Sequence, residues 1–122
     1  MEDDPVVSGR LARVHTIGGR TGLDRTATIG FVDDEDGSSG SILVAAGSTD
    51  TAWARNLMAD PVCRVEVGVR AFDAIAERLT PVEHSGAVRD LILRYGTPAE
   101  GLGRGASFRL RPVARATGPS RR

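Results

Sequence analysis

A glycine- and arginine-rich loop early in the chain has the composition of an anion-binding site. It runs from Gly18 to Thr26 and contains Arg20, Thr21 and Arg25. Glycines let backbone N–H groups converge on one point, guanidinium groups supply positive charge, and threonine hydroxyls add donors. The loop is suited to a phosphate cradle, although its composition alone favours a solvated hairpin loop that carries two surface arginines. It lacks the Gly-Lys-Ser/Thr of a Walker loop, so that class of nucleotide site is not indicated.

A second candidate lies where a predicted strand runs into a predicted helix. Gly47 and Ser48 follow the strand, and Trp53 and Asn56 lie about one turn apart on the helix. Unpaired N–H groups and the helix dipole at such a junction favour an anionic or electron-rich ligand edge. Trp53 is the single tryptophan, and it is either a core anchor or a platform for a ligand. Its spacing alone favours the core anchor.

Residues suited to acid–base, nucleophilic or metal chemistry are not grouped in the sequence. His15 lies in a predicted strand, His84 lies in the first turn of a predicted helix and is expected to face solvent, and Cys63 alternates as a small apolar filler. The acidic turn Asp33–Gly40 lacks the ligand pattern of a calcium loop, so we expect a solvated hairpin tip. We therefore predict no catalytic side chain and no metal site, and an enzyme built on this chain needs a cofactor.

The composition narrows the function classes further. The 122 residues contain 16 arginines, no lysine and 16 acidic residues. The balanced charge gives no support to binding of nucleic acid or an anionic membrane. The longest apolar run, 42–47, is far shorter than the roughly 20 residues that span a bilayer. The acidic start is unlike a secretion signal, and a single cysteine cannot form an intrachain disulfide, so we expect a cytoplasmic protein.

Periodic patterns predict six strands and two helices. The strands cover 10–17, 25–32, 41–46, 62–67, 71–79 and 107–112. The first helix begins near residues 48–50 and ends at Asp60-Pro61. The second begins with Thr80-Pro81-Val82-Glu83, a capping box with proline at the first helical position, and ends at Gly96.

This order of elements favours a mainly β, α+β fold. We predict an antiparallel six-stranded sheet that curls into a small barrel with two helices at its ends, because closure removes exposed strand edges. Residues 1–122 are expected to form one domain, with 1–8 and 113–122 as flexible tails.

Two motifs together resemble the deazaflavin-dependent nitroreductase family. They are the loop Gly18-Gly19-Arg20-Thr21-Gly22-Leu23-Asp24-Arg25-Thr26 and the segment Ala52-Trp53-Ala54-Arg55-Asn56-Leu57, which Asp60-Pro61 follows. The match covers about Val14 to Tyr95, and the pair is more specific than either motif alone. The resemblance implies a split β-barrel related to flavin-binding barrels.

The resemblance also implies coenzyme F-420, an 8-hydroxy-5-deazaflavin that carries a phosphate and an oligoglutamate tail. It places four residues on the tail and four near the ring: Arg20, Thr21, Arg25 and Thr26, then Gly47, Ser48, Trp53 and Asn56. The implied activity is hydride transfer from the reduced deazaflavin to a quinone, nitro or other electrophilic small molecule. A homodimer is expected, because small split barrels commonly complete their cofactor cleft across an interface.

Departures from the family's pattern keep an alternative open. Gly19 stands in place of an arginine, Thr51 in place of the proline before Ala-Trp, and the loop between Ala46 and Ala52 is shorter than usual. The stretch after Gly96 lacks the family's tyrosine-containing segment. The alternative is a non-catalytic barrel that binds F-420, or a barrel of the same kind that uses FMN.

Overall fold

The computed structural model of the chain contains seven strands and two helices. It describes residues 4–18, 23–34, 40–48, 50–96, 102 and 104–113. The strands are β1 (Ala12–Thr16), β2 (Arg25–Ile29), β3 (Val32–Asp33), β4 (Ile42–Ala45), β5 (Val62–Val67), β6 (Arg70–Arg78) and β7 (Ser107–Pro112), and the helices are α1 (Ala52–Ala59) and α2 (Pro81–Tyr95). Within these ranges no helix has the length and apolar character needed to cross a membrane.

The strands form one antiparallel sheet in the order β2-β1-β5-β6-β7-β4-β3. Its two edge strands, β2 and β3, are separated in sequence only by Gly30 and Phe31. The three Cα–Cα steps between these strands reach at most about 11 Å. A flat sheet of seven strands would be about 29 Å wide. The sheet must therefore curl until its edges lie close together, which gives a half-barrel.

The prediction of six strands is wrong by one, because the strand predicted over 25–32 is two strands. At the break, a Cβ on Gly30 would lie only 2.9 Å from the Tyr95 ring. The Tyr95 hydroxyl accepts the Phe31 N–H (3.0 Å) and donates to the Arg10 carbonyl (2.7 Å). The end of α2 thus clamps the point where the chain passes from one sheet edge to the other.

The barrel interior is filled mainly by small and branched aliphatic side chains. The strands contribute Ala12, Val14, Ile42, Val44, Val65, Val67, Ala74, Phe108 and Leu110. Helix α1 adds Trp53, Ala54 and Leu57 to the same core. Because side chains alternate across a strand, the residues between these core positions face outward, where Arg13 and His15 lie on β1.

Helix α2 begins as predicted and packs over the β3–β4 end of the sheet. The Thr80 hydroxyl accepts the Glu83 N–H (3.2 Å), and the Glu83 carboxylate accepts the Thr80 N–H (2.9 Å), which confirms the capping box. The helix buries Leu91 against the sheet. Val82 and Leu93 remain 83% and 77% exposed on its outer side.

The start of the chain differs from the flexible lead-in expected for residues 1–8. Val6 is buried, and its carbonyl accepts the Gly68 N–H at 2.7 Å. The Asp4 carboxylate accepts the Val6 N–H (2.8 Å). This segment is therefore packed against the β5–β6 turn from Asp4 onward. Of the second predicted tail only Val113 is described, since residues 114–122 lie outside the described ranges.

Candidate functional site

The two ends of the glycine- and arginine-rich loop meet at a neck, which a hydrogen bond between Gly18 and Asp24 holds closed. The Gly18 N–H donates to the Asp24 carboxylate at 2.9 Å. A Cβ at Gly18 would overlap the backbone of Leu23, so glycine is required where the two ends of the loop meet. Two of the predicted tail-binding residues, Arg20 and Thr21, lie outside the described residues.

Asn56 ties helix α1 to this neck. Its Nδ2 donates to the Leu23 carbonyl (3.3 Å) and to the Thr16 hydroxyl (3.0 Å). The buried Thr16 hydroxyl in turn donates to the Arg25 carbonyl (3.2 Å). The two candidate regions of the sequence therefore meet in one place, the loop–helix junction, which we define as Gly18, residues 23–26 and Asn56.

Arg25 and Thr26 are exposed at the start of β2. The Thr26 hydroxyl lies 3.0 Å from His15 Nδ1, and His15 Nε2 lies 3.2 Å from a Glu66 carboxylate oxygen. The hydrogen bond from His15 is the main cause that lowers the pKa of Glu66. The Arg25 guanidinium forms no ion pair with any residue in the described part of the chain, so it is available to an external anion.

The residues predicted near a ring differ in accessibility. Trp53 is 7% exposed, and its ring centroid lies 6.2 Å from that of Phe108, which confirms the core anchor. Gly47 borders open space, because a Cβ there would meet nothing within 4 Å. Ser48 is exposed, and its hydroxyl accepts the Asp50 N–H (3.2 Å). Only Gly47 and Ser48 of this set offer an open surface, since the amide of Asn56 is engaged at the junction.

On another side of α1, three arginines line a cleft of about 120 Å³. The charged side chains are Arg55, Arg78 and Arg104, with Ser48 beside them, and none of the described lining residues is acidic. Arg78 Nη1 contacts the sulfur of Met58 at 3.8 Å. None of the three arginines forms an ion pair with a residue that the structure describes. We call Arg55, Arg78, Arg104 and Ser48 the arginine cleft.

The arginine cleft depends on a close approach of two backbone segments. The Ala46 N–H donates to the Ala106 carbonyl at 2.8 Å. A Cβ at Gly105 would overlap the carbonyl oxygens of Ala46 and Ser48, so only glycine allows this approach. Sequence reasoning missed the cleft because its arginines come from three distant segments. The one available signal is Gly105, which lies in a glycine-rich stretch.

A single arginine, Arg109, is surrounded by carboxylates on another part of the sheet. Arg109 Nε lies 2.6 Å from Asp34, Nη2 lies 2.8 Å from Glu83, and Nη1 lies 3.5 Å from Glu77. The hydrogen bond from Arg109 is the main cause that lowers the pKa of Glu83 to about 2, and the Thr80 backbone N–H adds to it. We call Asp34, Glu77, Glu83 and Arg109 the Arg109 cluster.

The structure contradicts the expected exposure of Asp34 to solvent. This residue was assigned to a solvated hairpin tip, yet its side chain is only 4% exposed. The expectation is wrong for Asp34 because Arg109, distant in sequence, supplies a buried charge partner. Residues 35–39 of the same predicted turn lie outside the described ranges.

A larger groove of about 590 Å³ lies beside the Arg109 cluster, between α2 and the β3–β4 pair. Its size is typical of small-molecule pockets. Its described charged lining has four carboxylates and three arginines: Asp33, Asp34, Glu83, Asp90, Arg89, Arg94 and Arg109. Among the residues that the structure describes, the groove has no excess of positive charge for a polyanion and contains none of the predicted binding residues.

The remaining candidate reactive groups are engaged in the fold. His84, expected to face solvent, is half-buried, with Nδ1 2.7 Å from the Ser107 hydroxyl. Burial, with a smaller contribution from the nearby Asp73 charge, raises the pKa of the Cys63 thiol to about 12. Cys63 is therefore protonated at neutral pH and is not a nucleophile.

Comparison with known structures confirms the architecture. An F-420-H2 dependent reductase (FDR-A) is 20% identical over 84% of this chain and 94% of its own, with a TM-score of 0.68. HutZ, the heme storage protein from Vibrio cholerae, is 19% identical over 88% of this chain and 84% of its own, with a TM-score of 0.69. A structure described as a domain-swapped dimer is 19% identical over 84% and 80%, with a TM-score of 0.67. At these identities the likeness shows the fold alone.

Family assignment comes from the sequence. The F-420H(2)-dependent quinone reductase family matches residues 6–95, a range that contains both motifs of the loop–helix junction. No curated protein matches the chain significantly. The donor set fits a coenzyme with a phosphate and carboxylates, because Arg25 and the arginine cleft present guanidinium groups without carboxylate partners in the described ranges. The chain belongs to the F-420H(2)-dependent quinone reductase family and is an oxidoreductase whose cofactor is coenzyme F-420.

Proposed function

We propose that the protein binds coenzyme F-420 at the loop–helix junction and reduces a quinone or a related electrophilic small molecule. The observation that supports this most is the position of Asn56, whose amide joins the loop motif to helix α1. A coenzyme that contacts both motifs needs them side by side. The accessible Gly47 and Ser48 follow β4 at the start of the same helix, so a ring bound there can have its tail directed to either side of α1.

The tail-binding residues are Arg20, Thr21, Arg25 and Thr26. Arg25 supplies an exposed guanidinium with no carboxylate partner in the described part of the chain, and Thr26 supplies a hydroxyl beside His15. Gly47 leaves room for the edge of a flat ring, since no atom lies where its Cβ would be.

Trp53 and Asn56 act as positioning residues. Trp53 fixes α1 to the barrel core through its contact with Phe108. Asn56 holds the loop neck through Leu23. Both residues serve the site by keeping the loop and the helix start in a fixed relation, which is the contribution of a protein to a cofactor-borne reaction.

Bound F-420 supplies the hydride when it is reduced, so no side chain of this protein needs to act as an acid, base or nucleophile in that transfer. The described reactive groups agree with this division of labour. Cys63 is protonated and buried, and His15 and His84 are held by hydrogen bonds to Thr26 and Ser107. The residues of the junction bind the coenzyme, orient it and keep water away.

We further propose a small-molecule electron acceptor and a homodimer that works in the cytoplasm. The exposed apolar side chains of α2, Val82 and Leu93, offer a surface for self-association. A domain-swapped dimer among the similar structures supports the same conclusion. A buried, unpaired Cys63 suits a reducing compartment.

Mixing the protein with reduced F-420 and menadione tests turnover. We expect oxidation of the coenzyme that requires the folded protein and rises with its concentration. A protein that binds F-420 but leaves it reduced in the presence of several quinone and nitro acceptors would support the binding-only alternative. A yellow protein that releases FMN on denaturation would support the FMN alternative.

A further inference from the structure

The arginine cleft has a composition that the fold alone does not explain. Ion pairs within the described residues engage five of the other arginines: Arg13, Arg64, Arg89, Arg109 and Arg111. Arg55, Arg78 and Arg104 instead share one cavity whose described lining contains no carboxylate. Like charges brought together repel one another. An external anion would relieve this repulsion.

The three guanidinium groups come from separate elements that the backbone holds together. Arg55 lies on α1, Arg78 ends β6, and Arg104 precedes β7. The absence of a side chain at Gly105 lets the segment of Arg104 approach Ser48. The sulfur that contacts Arg78 is a weak acceptor, so the hydrogen-bonding capacity of this guanidinium is largely unused.

We propose that the arginine cleft binds an oxyanion group, either a phosphate or a carboxylate. Guanidinium forks match both groups with paired hydrogen bonds, and the Ser48 hydroxyl adds another donor. The cavity of about 120 Å³ is well below the roughly 300–1,000 Å³ of pockets that enclose a whole small molecule. It therefore takes one charged group of a larger ligand, or a small free anion.

An oxyanion group of this kind has two sources. One is the phosphate or a glutamate carboxylate of the F-420 tail, a use that rests on the proposed function. In that case the cleft holds one charged group of the tail on the α1 side that faces Arg78, in addition to the tail contacts proposed for Arg25 and Thr26. The other source is a separate oxyanion, for which inorganic phosphate is the probe.

Arg78→Ala tests the cleft, and Arg89→Ala is the matched control. Both variants remove one arginine, but Arg89 lies on α2 and its side chain is 73% exposed. Arg78 forms no ion pair within the described ranges, so both variants should have thermal midpoints close to that of the wild type without added anion.

The first arm compares phosphate with chloride at constant ionic strength. Phosphate should raise the thermal midpoint of the wild type and of Arg89→Ala, because a ligand that binds only the folded state stabilises it. The phosphate effect should be absent in Arg78→Ala. This outcome supports the cleft as an oxyanion site without any reference to F-420.

The second arm compares F-420 with the corresponding 8-hydroxy-5-deazariboflavin, which lacks the phosphate and the glutamates. If the tail is the source, Arg78→Ala weakens F-420 binding about tenfold or more in a fluorescence titration and leaves binding of the deazariboflavin unchanged. A difference in the phosphate arm alone assigns the cleft to a separate anion. If neither arm distinguishes Arg78→Ala from Arg89→Ala, the proposal is wrong. If phosphate raises the thermal midpoint of the wild type but neither deazaflavin binds to it, the proposed function is wrong and the assignment of the oxyanion site still holds.

Discussion

The Arg109 cluster and the arginine cleft are both built around guanidinium groups, but among the described residues only the first contains carboxylates. In the cluster, one arginine with 16% of its side chain exposed meets Asp34, Glu77 and Glu83. In the cleft, three arginines line one cavity whose lining, over the part of the chain that the structure describes, contains no acidic residue. Internal partners make the first group part of the folded framework. The described surroundings of the arginine cleft contain no such partners, so its guanidinium donors are available to a ligand.

Adjacent residues of α1 show the same contrast. Asn56 donates to Thr16 and to the Leu23 carbonyl, so its hydrogen bonds lie within the protein. Arg55 points to the cleft and has no ion-pair partner in the described part of the chain. A residue's internal hydrogen bonds therefore predict whether its loss affects folding or binding.

Removal of Arg109 should have the largest effect. Arg109→Ala leaves the buried Asp34 carboxylate without its guanidinium, and we expect the free energy of unfolding to fall by about 3 kcal/mol. Urea denaturation at neutral pH measures the change. Arg111→Ala is the control on the same strand, since Arg111 is 50% exposed and pairs with Glu77. It should lose less than about 1 kcal/mol. Equal losses in the two variants would show that burial of the pair is not the cause.

Asn56→Ala should have an intermediate effect. The substitution leaves the Leu23 carbonyl and the Thr16 hydroxyl without a shared donor, so the free energy of unfolding should fall by about 1–2 kcal/mol. Arg55→Ala, one residue away, should change it by no more than about 0.5 kcal/mol. Urea denaturation of both variants makes the comparison. A larger loss of unfolding free energy in Arg55→Ala than in Asn56→Ala would contradict the different roles assigned to these two residues of α1.

Lowering the pH should have the smallest effect on stability, through protonation of Glu83. The pKa of this carboxyl is lowered from 4.5 to about 2 in the folded state, so its ionised form is favoured by folding. Its contribution to stability is therefore complete above about pH 4.5 and is lost as the pH falls toward 2. Because the side chain is 38% exposed, the contribution is reduced by solvent.

Glu83→Gln isolates this charge, since an amide oxygen still accepts the Thr80 N–H of the capping box. The variant should be less stable than the wild type at neutral pH, and the difference should disappear between pH 4.5 and 2. Denaturant titrations at several pH values measure it. A difference that stays constant down to pH 2 would rule out the Glu83 charge as its source.

Features that depend on residues close together in the sequence were predictable. The capping box at Thr80 and Glu83 and the strands at 62–67 and 107–112 are confirmed with the same bounds. The break of the strand predicted over 25–32 was not predictable, because it depends on the Tyr95 ring packed against Gly30. The burial of Asp34 depends in the same way on Arg109, which lies 75 positions away.

The same distinction between local and distant contacts applies to the candidate site. Local motifs led to the loop and to Asn56, and the structure brings these two regions together at Leu23. Trp53 has the spacing of a core residue, and its burial confirms that interpretation. The arginine cleft has no local pattern, since α1, β6 and the segment before β7 each contribute one arginine.

The most direct test of the coenzyme site is a fluorescence titration of the purified protein with oxidised F-420, with Arg25→Ala beside the wild type. The account predicts saturable quenching at micromolar concentrations that weakens with salt. It also predicts a 10- to 100-fold lower affinity for Arg25→Ala, about 1.5–3 kcal/mol for a charged hydrogen bond. No binding by the folded wild type up to high micromolar coenzyme, or equal affinity in the variant, would contradict the assignment of the loop–helix junction.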